Sequence, residues 1–203
     1  MKENRDYIKD LAEIRSMMER SSKFLSLSGW AGIMAGLYAL AGVYIAYNIF
    51  NFNPTSISSG SNSFELVNVV ILAIMILTLA LVTAIFFSYK KAKGKGEDIW
   101  NPTSRRLLKS MLVPLLSGGI LIILFLVNGF IELILPLSLI FYGLSLYNAG
   151  KFTIDEVKLL GFVQIGLGLL SSYFIEYGLI FWAIGFGVVH IIYGIYMHFR
   201  YER

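Results

Sequence analysis

The sequence contains no cysteine. A disulfide framework, a thiolate metal site and a cysteine nucleophile are therefore excluded. Charge is also scarce: 15% of the 203 residues are Asp, Glu, Lys or Arg, where a soluble domain carries about 25%. Histidine occurs only at 190 and 198. Those positions lie about 12 Å apart along a helix axis, too far to share an ion, and no carboxylate is expected beside them. No H-E-x-x-H, G-x-S-x-G or P-loop pattern occurs, and the aspartates all fall in charged flanking segments, which removes an intramembrane aspartate pair. No catalytic residue, metal site or cofactor is assigned.

What fills the sequence instead is apolar, at 57% hydrophobic residues. Six charge-poor stretches follow one another, at 24–47, 66–88, 111–127, 133–147, 159–175 and 177–199. A helix of about 20 apolar residues crosses a ~30 Å hydrocarbon core, and ~17 is the lower limit. The fourth and fifth stretches are short and imply local thinning or little tilt. The expected fold class is an all-α six-transmembrane-helix bundle of three helical hairpins. Residues 1–23 form a cytoplasmic amphipathic helix before it, and 200–203 form a cytoplasmic tail.

The cations sort cleanly. Lys2, Arg5, Lys9, Arg15, Arg20 and Lys23 precede the first span. Lys90, Lys91, Lys93, Lys95, Arg105, Arg106 and Lys109 lie between the second and third. Lys151 and Lys158 lie between the fourth and fifth, and Arg200 and Arg203 follow the sixth. Every one falls on the same face in a six-span arrangement, and the positive-inside rule places both termini in the cytoplasm. The first apolar run is of full membrane length, so it is expected to remain as a signal anchor.

Residues 13–36, EIRSMMERSSKFLSLSGWAGIMAG, pass from a charged helix to a glycine-spaced apolar one with nothing that breaks a helix. Tyr7, Leu11, Ile14, Met18, Ser21 and Leu25 recur on one face. Lys9–Glu13, Arg15–Glu19 and Glu19–Lys23 stand four apart, each pair adding ~0.2–0.5 kcal/mol. This helix has three readings: an interfacial helix on the inner leaflet, half of a short coiled coil, or a cap on its own bundle. Beyond Lys23 the small residues take over. Gly32 and Gly36 in the first span, and Gly185, Gly187 and Gly194 in the sixth, allow close helix packing in lipid.

The loops carry their own signals. Asn101 and Pro102 form a cap and first position for a helix leading into the third span. Thr153 to Glu156 has capping-box spacing for the fifth. Trp100 suits the headgroup region. A weak repeat opens each even span with an aromatic residue and a glutamate: Phe64–Glu65, Phe130–Ile131–Glu132 and Phe174–Ile175–Glu176.

Glu65, Glu132 and Glu176 either complement the first turns of their helices, at about 0.3–1 kcal/mol each, or ring an outer mouth that gathers cations. His190 lies about 20 Å along the sixth span, near mid-membrane, where an ionisable group is a functional candidate. The alternative is a neutral histidine bonded to a neighbouring helix through Tyr142, Ser138 or Gln164. Tyr38 either faces it or fills the core. Lys90, Lys91, Lys93, Lys95, Arg105 and Arg106 are expected to face lipid or a partner.

The stretch EIRSMMERSSKFLSLSGWAGIMAGLYAL resembles the opening of a group of uncharacterised six-span bacterial inner-membrane proteins, over about residues 10–45. In that group a charged helix ending in an MERS(S)+F(I/L)SLSG phrase leads into the first span. The resemblance implies a bacterial cytoplasmic membrane location and transfers no activity and no functional residue. The functional expectation is non-enzymatic: partner binding, regulation or assembly through residues 1–23 and 89–109. Alternatives are a small carrier or channel using His190 and the outer glutamates, then a quinone- or haem-associated enzyme. The bilayer is the first partner, self-association stays open, and nucleic acid is not expected, because topology already explains the basic residues.

Overall fold

Apolar runs in this chain become helices because a helix satisfies its own backbone polar groups. A computed structural model describes residues 23–24, 27–54, 63–94, 96 and 98–202. Of the helix expected over residues 1–23, all but Lys23 lies outside them, as do Lys95 and the side chain of Glu65. Among the described residues every regular element is helical. They are α1 (Gly29–Asn48), α2 (Ser63–Gly94), α3 (Pro102–Val127), α4 (Ile134–Ala149) and α5 (Asp155–Tyr173). The sixth, α6, is continuous through Gly178–Trp182, a π-helical stretch Ala183–Val189 and His190–Tyr201.

Five of the six are long and apolar enough to cross a membrane. The exception is α5, which opens with Asp155, Glu156 and Lys158 and carries Gln164 at mid-length. It nevertheless packs along α4 more extensively than any other helix pair. In turn α3 lies along α4, α1 along α6 and α2 along α1.

Two apolar clusters mark the two ends. At one, Leu146, Ala149, Ile154, Val157, Leu160 and Met197 are buried together. At the other, Ala46, Phe52 and Ile131 are buried against Leu66, Leu126 and Leu179. Ion pairs gather at the first end: Lys23–Asp155 at 3.4 Å, Lys91–Glu202 at 3.2 Å and Arg200–Glu156 at 3.6 Å. This is the basic end.

Small residues set the crossings. A Cβ on Gly36 would stand 2.6 Å from the Gly187 carbonyl oxygen, and one on Gly194 2.6 Å from the Ile33 amide. Gly143 and Gly161 meet in the same way where α4 crosses α5. These backbones approach because no side chain intervenes. Two hairpins then close alike. Phe130 and Phe174 take similar backbone angles (φ −82°, ψ 58° and φ −104°, ψ 64°), and a 3-10 turn follows each, Ile131–Leu133 and Ile175–Tyr177. Gly129, at φ 82°, makes the α3–α4 turn in the left-handed region that glycine tolerates.

Two expectations need correction. The charged segment does not run straight into the first span, because Lys23, Phe24, Leu27 and Ser28 are not helical. The Phe24 amide donates to the Phe152 carbonyl (2.8 Å), and its own carbonyl accepts the Thr153 hydroxyl (2.6 Å), so tertiary bonds take the groups a helix would use. That bond also removes Thr153 from capping: α5 starts after Ile154, with no side-chain cap. The capping box forms instead at α3, where Asn101 accepts from the Ser104 amide (2.8 Å) and the Ser104 hydroxyl faces the Asn101 amide (3.0 Å), with Pro102 in the first turn.

Candidate functional site

His190 is 5% exposed and sits where the π-helical stretch returns to α-helix. Stretches of this kind recur at functional sites, because the widened turn frees a carbonyl. Here the carbonyl of Gly185 accepts from His190 Nδ1 at 2.8 Å and from the Gln164 amide nitrogen, also at 2.8 Å. A carbonyl oxygen only accepts, so Nδ1 carries the proton and Nε2 is left as an acceptor. The Tyr142 hydroxyl donates to it at 3.0 Å. The 3.3 Å separation between Gln164 Nε2 and His190 Nδ1 is then that of two donors sharing one oxygen.

The rings enclose the same point. Tyr142 and Phe186 stack on His190 with centroids 5.5 Å and 5.7 Å away, and Trp182 lies 4.8 Å from Phe186. Gln164 is fully buried, and its Oε1 has no hydrogen-bond partner. A Cβ at Gly185 would stand 2.6 Å from that oxygen, so the glycine makes the room the amide occupies.

The sequence candidates thus divide. His190, Tyr142 and Gln164 come together. Ser138 accepts from the Trp182 indole at 3.1 Å instead, two ring contacts away from the histidine. Tyr38 faces α2, 3.3 Å from the Thr83 hydroxyl. Glu132 and Glu176 occupy the matching 3-10 turns, Glu176 exposed and Glu132 half-buried with Oε2 unpartnered.

Among the basic candidates Lys90, Lys93 and Arg105 are exposed and Arg106 is half-buried. Lys91 departs from expectation. Its side chain is 11% exposed, donates to the Leu27 carbonyl (2.6 Å) and pairs with Glu202. It holds the segment before α1 to the residue that ends α6.

Glu202 is the residue that sequence reasoning missed. One oxygen accepts the Gly29 amide at 2.9 Å and meets Lys91, while the other meets His198 Nδ1 at 2.9 Å. A carboxylate therefore does stand beside His198, four residues on, contrary to expectation. Burial pushes the Glu202 carboxyl up. The bonds from His198, Gly29, Ser28 and Lys91 outweigh it and hold the group below its ordinary value. The only sequence signal was the four-residue spacing of His198 and Glu202. Across the basic end, Lys158 and then Lys23 hold Asp155 below its ordinary value as well.

Among the described residues no group of three or more His, Asp or Glu side chains is placed to hold a metal ion. No protein-family model, curated protein or solved structure matches this chain.

Proposed function

We propose that this chain is a six-span protein of the bacterial cytoplasmic membrane, with both termini in the cytoplasm and a non-enzymatic role in binding or assembling a partner through its basic face. The observation that carries this reading is the state of His190. Both ring nitrogens are engaged by protein groups and the ring is stacked between aromatics. A proton path needs an ionisable group that reaches it, and this one is buried among protein groups. The described cations lie instead at the basic end, where Lys90, Lys93 and Arg105 stay exposed.

The sixth span in this reading is α5. Its polar first turn belongs at the cytoplasmic headgroups, and the amide nitrogen of its mid-helix Gln164 is satisfied by α6 rather than by lipid. The test is deletion of residues 1–20 followed by co-purification from native membranes. The reading expects a folded bundle that has lost bound protein. An unchanged set of bound proteins sinks it.

A carrier remains the second reading on one observation, the unpartnered Oε1 of Gln164 beside the π-helical stretch. Proteoliposomes that conduct protons or a small solute, and lose that flux in His190→Ala, would favour it.

A further inference from the structure

The π-helical stretch Ala183–Val189 divides α6 between two sets of neighbours. In the first half of the helix, Trp182 donates to Ser138 of α4, and a Cβ at Gly178 would stand 4.0 Å from the Leu135 Cβ. In the second half, Gly194 lies against Ile33 and Glu202 accepts from the Gly29 amide, so that half is held to α1. The stretch between them meets both sides, with Gly187 facing Leu40 of α1 and Gly185 facing Leu139 of α4.

A widened turn is rare in a helix and needs something to hold it open. The Gly185 carbonyl is the point where it is held. Its oxygen has two lone pairs, and His190 Nδ1 and the Gln164 amide nitrogen take them, each at 2.8 Å. In a regular α-helix the same oxygen accepts the amide four residues on, that of Val189. The open turn thus depends on two side chains, one of them from α5. It also carries a cost, because Gln164 Oε1 is buried with no donor.

The Gln164 amide nitrogen lies 3.3 Å from His190 Nδ1. Turning the amide over exchanges its nitrogen for its oxygen, an acceptor for the Nδ1 proton. The Gly185 oxygen is then released to the Val189 amide, and the turn closes. One Gln164 atom is unpaired in either arrangement, Oε1 with the turn open and Nε2 with it closed. His190 keeps its proton and its bond from Tyr142 throughout. We infer that α6 has two registers, and that rotation of the buried Gln164 amide switches between them. With the second half of α6 held by α1, closing the turn shifts the first half by one residue, about 1.5 Å along the axis and about 100° around it. Leu179 then stands where Gly178 stood. Trp182 leaves Ser138, whose hydroxyl retains its bond to the Leu135 carbonyl. The switch carries a motion from mid-helix to the α5–α6 turn, and it rests on neither functional reading.

The chain has no cysteine, so engineered disulfides report the register directly. Leu135→Cys with Gly178→Cys has the Cβ spacing of a disulfide and should close with the turn open. Leu135→Cys with Leu179→Cys should close only in the other register. Both pairs are oxidised in the full chain in native membranes, and the yields are read by mass spectrometry of the digested protein. With Gln164 in place both crosslinks should form. Gln164→Leu keeps the bond from His190 to the Gly185 carbonyl but offers Nδ1 no other acceptor. It should hold the turn open and lower the yield of the 135–179 crosslink relative to 135–178 about three-fold, the worth of one ordinary hydrogen bond between membrane helices. Gln164→Met, unbranched like glutamine and without the amide, serves the same end where the leucine variant does not fold. Absence of the 135–179 crosslink with Gln164 present overturns the second register. An unchanged ratio of the two crosslinks in a folded variant at 164 overturns the amide as its switch.

Discussion

Helices α2 and α4 are both apolar, yet they meet different surroundings. None of the most apolar 18-residue window of α2 is buried within the protein, against 33% of that of Ile131–Ala149, α4 with the 3-10 turn before it. The difference lies in which residues interrupt the apolar run. Before its last residue α2 has no glycine, and most of its large side chains, among them Ile71, Ile74, Leu77, Val82, Ile85 and Phe86, are exposed. Pro136, Gly143, Ser145 and Ala149 punctuate α4, and all four are buried. Hydropathy marks the helix that lipid sees, whereas small and polar residues mark the helix that protein sees. The extreme case is α5, too polar to stand among the five apolar helices and yet the closest partner of α4.

The largest expected effect comes from placing bulk at a protein-facing crossing. Gly194→Val would set side-chain atoms against the backbone of α1, which cannot rotate away. A loss of about 3 kcal/mol or failure to fold is expected, read by denaturant unfolding in mild detergent. A soluble, wild-type-like variant would break the contrast between buried and lipid-facing helices.

Breaking the clasp at the basic end comes next. Glu202→Gln removes a charge that Lys91 pairs with and should cost about 1–3 kcal/mol. The folded state holds the Glu202 carboxyl below its ordinary value. Its contribution is therefore complete above the ordinary glutamate range and is lost as pH falls through the depressed value. The variant should show a flatter decline of thermal stability in acid, and an unchanged acid limb would remove Glu202 from that account.

Two adjacent glycines sharpen the comparison within one helix. A Cβ on Gly118 runs into Phe141 of α4, whereas one on Gly119 meets nothing within 4 Å. Gly118→Ala should destabilise by about 1–2 kcal/mol, and Gly119→Ala should be neutral or slightly stabilising. Equal effects would mean that α3 is rotated from its stated face. Tyr142→Phe, which removes the hydroxyl bonded to His190, should cost about 0.6 kcal/mol, the usual worth of a polar contact between membrane helices. Smallest of all, Ile85→Ala on α2, at a side chain 64% exposed, should stay within about 0.5 kcal/mol.

Much of this was legible in residue order because its causes are local. Gly32, Gly36, Gly187 and Gly194 could be assigned to packing since helices in lipid approach through small residues. Asn101 and Pro102 marked a helix start, and the two Phe-Ile-Glu phrases marked matching turns. Depth alone grouped His190 with Tyr142 and Gln164. The causes that escaped are tertiary. Thr153 has the spacing of a cap, but a carbonyl 129 residues away takes its hydroxyl. Glu202 meets Gly29 across 173 residues, and no periodicity records such a pair. The π-helical stretch left only the Gly185 and Gly187 pair as a hint, indistinguishable in sequence from ordinary packing glycines.

The central claim, that six crossings hold every cation on one face, is open to direct measurement because the chain has no cysteine of its own. Single cysteines at Ser59, Lys93, Asn128, Lys151 and Glu176 can be labelled in intact cells with a membrane-impermeant thiol reagent, with and without permeabilisation. The account predicts labelling from outside at Ser59, Asn128 and Glu176, and labelling only after permeabilisation at Lys93 and Lys151. Outside labelling of Lys151, or inside-only labelling of Glu176, would contradict it by removing α5 as a crossing.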